Sequence, residues 1–355
     1  MFAYAIYRLG AFLALRLNLP TARRYAAAVG RFIGVFQRRN RRTLYRNLKI
    51  AFGDRMSPRE LRRLRTRIYG NFGAFVLEFL WLPHLDRGNV ESLVTPESVE
   101  TYGRIRELAG ERGPVIFLTA HLGNWEMAAV IGSLMGIPLT VLVDAHPSPL
   151  VTSFFNERRK EKGLRLVSVS EFQKCMRALR QKRLLAIAGD RAVTGQGIRM
   201  EYFGKPALVP DGHAVLARKF GVPILPGFLV MNEDGKYEIV TDEIVEPRVT
   251  DDFDADVRDC VARCLRVFEK HIRRYPEQWY VFRPIWENTR EDRLRLREER
   301  IRARKDRIDA RIKKMDARRE RMEEHRRRLQ ADRERLEETE SRLRGRRDDP
   351  AEEDE

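Results

Sequence analysis

Three cysteines in 355 residues are too few for a disulfide framework. Cys175, Cys260 and Cys264 read as buried thiols of a reducing compartment. Cys260 and Cys264 stand one helical turn apart, but no second Cys/His pair accompanies them. Neither His-Glu-x-x-His nor a paired Cys-x-x-Cys occurs, so no metal or other cofactor is expected. A long apolar run is also missing. The stretch 2–19 carries Arg8 and Arg16, whereas a membrane-spanning helix needs about 20 mostly apolar residues. Neither the basic start nor the small-residue cleavage site of a signal peptide is clear. Acid is scarcest at the start, where residues 1–70 hold 17 arginines and lysines against Asp54 and Glu60. No aromatic-interleaved basic groove or recognition-helix pattern is present, which argues against a specific nucleic-acid partner.

What charge there is divides the chain. Residues 71–289 hold 28 basic and 29 acidic side chains, 290–347 hold 24 and 15, and 348–355 hold six acids and no base. A near-neutral domain is thus flanked by basic segments, the mark of a surface for anionic lipid, nucleic acid or an acidic protein. The expected organisation is a membrane-associating basic helical segment at 1–45, an α/β domain at 46–289, a charged helix at 290–347 and a disordered acidic tail at 348–355. Within the first segment, 2–19 reads as an interfacial anchor. Arg23, Arg24, Arg31, Arg38, Arg39, Arg41 and Arg42 follow it and are placed to meet anionic lipid. A basic helix packed on the domain and a single-pass span are the alternatives. Along 290–347, apolar residues recur every seven from Leu294 to Leu343. The second seam position of a coiled coil is nearly always charged, with Ile312 the apolar exception. That pattern suits a solvated helix, a weak self-associating coiled coil, or a helix lying on lipid or nucleic acid.

Through the middle, apolar runs at 115–119, 139–143, 164–169, 184–188, 222–230 and 236–240 predict strands. Periodic stretches at 57–82, 125–135, 150–162, 171–182 and 211–220 predict helices, the first opened by a Ser57/Glu60 capping box. Such alternation predicts an α/β fold with a mainly parallel sheet and helices on both faces. Ligands of such sheets bind at the carboxyl ends of the strands.

His121 falls at such an end, in Val-Ile-Phe-Leu-Thr-Ala-His-Leu-Gly-Asn-Trp-Glu (115–126). Gly123 or Asn124 starts a helix there, and Glu126 lies in its first turn. With the imidazole at the strand end and the carboxylate in that turn, both face one cleft, and the acid fixes the ring tautomer for proton transfer. A buried histidine merely satisfied by a nearby acid fits the same spacing. A second strand end carries Gly189-Asp190-Arg191. After it come Tyr202-Phe203-Gly204, Gly212 to Ala217, and Pro276-Glu277-Gln278-Trp279.

With Asn47-Leu48 and Ala51-Phe52, these motifs resemble, in order over about 1–287, the bacterial lipid A biosynthesis (lauroyl/myristoyl) acyltransferase family. That family belongs to the wider His-x4-Asp/Glu lysophospholipid and glycerolipid acyltransferases. The resemblance implies a glycerolipid-acyltransferase-like fold and an O-acyltransferase without an acyl-enzyme. It moves a fatty acyl chain from acyl carrier protein or acyl-CoA to a hydroxyl of a membrane lipid, such as a lipid A precursor. His121 is then the general base and Glu126 its orienting acid, with backbone N–H groups of the turn facing the developing oxyanion. Gly123, Asn124, Arg159, Asp190, Arg191 and Gly204 are implied as substrate-binding residues, with Arg158 the alternative to Arg159. His146 is a further candidate for the acceptor site. The expected location is the cytoplasmic face of the inner membrane. Asp190-Arg191 and the Trp279–Trp286 ending are closer to the phosphatidylinositol mannoside acyltransferases of the same family, so a lysophospholipid or phosphatidylinositol-mannoside acceptor remains an alternative. His213 stands where the family pattern has a small residue or proline. The competing class is a non-catalytic scaffold that presents its basic helices to membrane or nucleic acid.

Overall fold

The computed structural model describes residues 2–286 except 112, 182, 193 and 194, together with 301, 302, 315 and 322. One compact unit runs from Met1 to Asp292 and a second from Arg293 to Glu355. Of the expected helix at 290–347, all but the four named residues lie outside the described part; those four are helical.

Four helices open the first unit: α1 (Phe2–Ala14), α2 (Leu19–Phe36), α3 (Arg38–Phe52) and α4 (Pro58–Trp81). The predicted capping box starts α4, with Ser57 Oγ accepting from the Glu60 N–H and Glu60 accepting from the Ser57 N–H. Helices α2 and α4 approach closely. A Cβ at Gly30 would sit 2.3 Å from the Tyr69 carbonyl oxygen, and one at Gly73 would sit 2.2 Å from that of Ala26. Only glycine permits that approach. Among the described residues, no helix is long and apolar enough to cross a membrane.

After α5 (Pro96–Glu111), strands and helices alternate: β1 (Ile116–Thr119), α6 (Trp125–Leu134), β2 (Leu139–Val143), α7 (Pro149–Glu161), β3 (Arg165–Ser168), α8 (Lys174–Arg180) and β4 (Leu184–Ala188). A hairpin, β5 (Ile198–Tyr202) and β6 (Lys205–Val209), precedes α9 (Gly212–Phe220), β7 (Ile224–Met231), β8 (Tyr237–Thr241) and α10 (Phe253–Arg274). The main sheet runs β3-β2-β4-β1-β7-β8, parallel except for β8. Strand β1 is central, and its side chains alternate. Ile116 and Leu118 enter a core shared with α3, α4, α9 and α10, while Phe117 enters the opposite core with α5 and α6. A strand buried on both faces explains why 115–119 reads as an unbroken apolar run.

All six predicted strands are present, each within two residues of its expected limits. The hairpin β5–β6 is an addition. Its two-residue turn puts Phe203 (φ 51°) and Gly204 (φ 69°) in the left-handed region that favours glycine. The three cysteines are free and buried, as expected.

Candidate active site

The parallel pairing of β1 with β4 sets Thr119 opposite Ala188. Two residues further along each strand's exit come His121 and Asp190, brought side by side by the register. The ring Nδ1 of His121 lies 2.6 Å from Asp190 Oδ1, and its backbone N–H donates to Oδ2 at 3.0 Å. Both carboxylate oxygens are therefore committed to one residue. Asp190 is wholly buried, whereas the His121 side chain keeps 16% of its surface exposed. Burial pushes the Asp190 carboxyl upward. The adjoining His121 ring, its hydrogen bonds and the nearby Arg191 together outweigh that and hold it below the usual carboxylate range. An ionised acid on Nδ1 keeps the proton there and leaves Nε2 as the acceptor.

Glu126 does something else. It pairs bidentately with Arg159 of α7, at 2.6 Å and 2.9 Å, and Asn156 accepts a further bond from the same guanidinium. The expectation that Glu126 orients His121 is therefore corrected: Asp190 holds the ring, because strand register sets it beside His121 while α6 carries Glu126 toward α7. Arg159 is likewise a partner of Glu126 and not a free cation. Arg158 lies over the Phe154 ring and donates to the Leu80 carbonyl.

The turn itself is built tightly. Gly123 has φ 67°, and a Cβ there would stand 2.0 Å from the Leu229 carbonyl oxygen. Its N–H donates to the Gln278 carbonyl, and the Asn124 N–H donates to that of Leu229. Neither N–H is available to an oxyanion, which corrects the expectation for these two groups. Asn124 caps α6 by accepting from Met127, and its amide donates to Glu78 and to Tyr237. Glu78 in turn takes Arg23 at 2.5 Å and the Tyr237 hydroxyl. Arg23, expected at a lipid surface, thus braces the turn from inside. Gln278 exchanges two bonds with the Met231 backbone, Tyr280 N–H donates to the His121 carbonyl, and Asn47 donates to the carbonyls of Val281 and Arg283. The Pro276–Trp279 motif therefore supports the turn, Asn47 holds the segment that follows it, and neither lines the cavity that His121 opens on.

His121, Trp125, Glu126, Arg159 and Arg191 open on one cavity of about 240 Å³. Its depth is apolar, walled by Ile105, Phe117, Leu139, Leu164, Leu184 and Ile239. Trp125 meets the His121 ring edge-on, with centroids 4.9 Å apart. Gly123 and Asn124 line a different cavity, with Glu78, Glu277 and Gln278. Gly204 turns its hairpin without lining the cavity, and exposed His146 accepts from the Ser148 N–H within its own loop. His213 is buried against Gly189, its two ring nitrogens without partners among the described residues, and burial pushes its pKa down to about 4.

A histidine held by a buried carboxylate at the end of a central parallel strand thus opens on a largely apolar cavity. The chain belongs to the bacterial lipid A biosynthesis acyltransferase family, whose profile matches residues 2–288. It is thus an acyltransferase that transfers acyl groups to a lipid. It is similar to a phosphatidylinositol mannoside acyltransferase of Mycolicibacterium smegmatis, at 23% identity over 250 residues, which are 64% of this chain and 79% of that protein. Proteins of the same name from two Mycobacterium tuberculosis strains are each 26% identical over 186 residues. Those matches cover 50% of this chain and 56% of the tuberculosis proteins.

Proposed function

We propose that this protein transfers a fatty acyl chain from an acyl thioester to a hydroxyl of a membrane glycolipid, with His121 as general base. The single observation that carries this is the His121–Asp190 pair opening on an apolar cavity. The acceptor hydroxyl gives its proton to His121 Nε2 as its oxygen attacks the thioester carbon. Asp190 stabilises the resulting imidazolium, and the same proton then reaches the departing thiolate sulfur. The acyl chain occupies the apolar depth. Glu126 and Arg159 act together as a rigid wall that fixes α6 against α7 beside the reacting groups. Acyl carrier protein and acyl-CoA are both suitable donors in this scheme.

The acceptor is a lipid A precursor in the reading that the family name supports. The names of the mycobacterial relatives support a second reading, a phosphatidylinositol mannoside. Work at a membrane is supported by a row of exposed apolar side chains on α1 and α2: Ile6, Leu9, Phe12, Val29, Phe32 and Phe36. The cytoplasmic face of the inner membrane is the location this reading assigns. Lipid mass spectrometry of a strain lacking the gene tests the proposal. A membrane lipid lighter by one acyl chain is expected, restored by the wild-type gene and not by His121→Ala. An unchanged lipid profile contradicts it.

A further inference from the structure

Helix α2 ends in exposed apolar side chains, Phe32, Val35 and Phe36. Beside that end stands a group of cations. Arg41 donates to the Val35 carbonyl, and Arg65 lies over the Tyr45 ring, 6.0 Å from its centre. The other charges acting on Arg65 are those of Arg41 and Arg62, and none of the three pairs with a carboxylate among the described residues. Burial first, then Arg41 and Arg62, push the Arg65 pKa down, an effect that an anion among them would oppose. Tyr69 brings a hydroxyl to the same place. Its ring lies against α2 at Gly34, where a Cβ would stand 2.6 Å from it. Burial pushes its pKa up while Arg65 and Arg41 pull it down, so its oxygen lies within the field of both. Tyr69 is 5% exposed, and its hydroxyl is buried with no hydrogen-bond partner among the described residues. An unpaired buried hydroxyl is costly, and an anion bridging it to the guanidinium groups would satisfy it. None of these residues lines the cavity that His121 opens on.

We propose that Tyr69, Arg41 and Arg65 form a receptor for the phosphate of an anionic membrane phospholipid, whose chains lie along Phe32, Val35 and Phe36. The Tyr69 hydroxyl donates to one phosphate oxygen and the guanidinium groups to the others. A charged site bordering an apolar row matches a lipid, which presents its phosphate just above its chains. The bound lipid is a fixed point of attachment and not a substrate. Smeared attraction between a basic surface and a membrane needs no hydroxyl, so Tyr69 separates the two cases.

The test is flotation of the full chain with phosphatidylcholine vesicles, with and without phosphatidylglycerol. The wild type should bind the phosphatidylglycerol vesicles more tightly. Tyr69→Phe, which changes no charge, should weaken that binding about 10-fold and leave binding to phosphatidylcholine alone unchanged. Arg65→Gln should weaken it at least as much, whereas Phe36→Ser should weaken binding to both kinds of vesicle. Without lipid, Tyr69→Phe should unfold at the same or a higher temperature than the wild type, because it deletes an unpaired buried hydroxyl. A Tyr69→Phe protein that binds both kinds of vesicle like the wild type overturns the proposal, and so does one that unfolds at a lower temperature. Glycerol phosphate and acyl carrier protein are the competing ligands. The lipid assignment falls if either binds the wild type and loses binding in Tyr69→Phe while vesicle binding does not change. Binding is read without turnover, so this result stands apart from the acyl-transfer reading.

Discussion

Two acid–base pairs stand beside one cavity, and they differ in how the fold makes them. His121 and Asp190 come from the ends of adjacent parallel strands, so sheet register sets their separation, and the acid is fully buried. Glu126 and Arg159 come from two helices, and both keep a little solvent contact, 15% and 12%. The first pair joins a titratable base to a fixed charge and suits proton transfer. The second joins two permanent charges and suits bracing. Chain proximity points the other way, since Glu126 is five residues from His121 and Asp190 is 69 away.

Substitutions at the two pairs break this comparison directly, and the largest loss is expected at the base. His121→Ala should reduce acyl transfer to background, with folding checked by circular dichroism. Asp190→Asn should follow, at about 10³–10⁴-fold in kcat, the size of effect produced when a histidine base is left in the wrong tautomer. Glu126→Gln and Arg159→Gln should each cost about 10–100-fold through lost positioning and about 1–3 kcal/mol of stability through the partner charge left half-buried. The double variant should be no worse than either single one in urea unfolding, because the two charges leave together. A double variant whose losses add would show that the pair is not a unit.

A smaller, pH-dependent effect sharpens the picture behind the first pair. His213, packed on Gly189, is held neutral with a pKa of about 4 against an ordinary value near 6.5. The depressed pKa of this base means that protonation favours the unfolded chain. Its contribution is therefore complete above about pH 6.5 and is lost as pH falls toward 4, by a total of about 3 kcal/mol. Unfolding midpoints measured across that window should fall in the wild type and stay flatter in His213→Leu. Equal slopes in the two proteins would remove His213 from the account.

Much of the fold was legible because a parallel sheet buried on both faces writes itself as apolar runs, as at 115–119, 139–143 and 184–188. Helix α10 was also within reach. Its N-cap at Asp252 and its apolar spacing at Val257, Val261, Leu265, Phe268 and Ile272 are clear signals of a helix. Strand order is a different matter. Periodicity shows that a segment joins a sheet, but it says nothing of which strand lies beside β1. The neighbours are β4 and β7, and it is the β4 pairing, invisible in the local pattern, that makes Asp190 rather than the nearer Glu126 the holder of His121. Arg23 illustrates the same limit. In a basic segment it looks like its exposed neighbours, yet the close α2–α4 packing carries it inward to Glu78. The supporting roles of Gln278 and Asn47 depend on bonds spanning 47 and more than 230 residues, which no local pattern encodes.

The most direct test is nitrogen-15 NMR of the His121 ring in wild-type protein, Asp190→Asn and Glu126→Gln. The account predicts a proton fixed on Nδ1 in the wild type and in Glu126→Gln, and lost or shifted to Nε2 in Asp190→Asn. A ring that keeps its Nδ1 proton in Asp190→Asn but loses it in Glu126→Gln would contradict it.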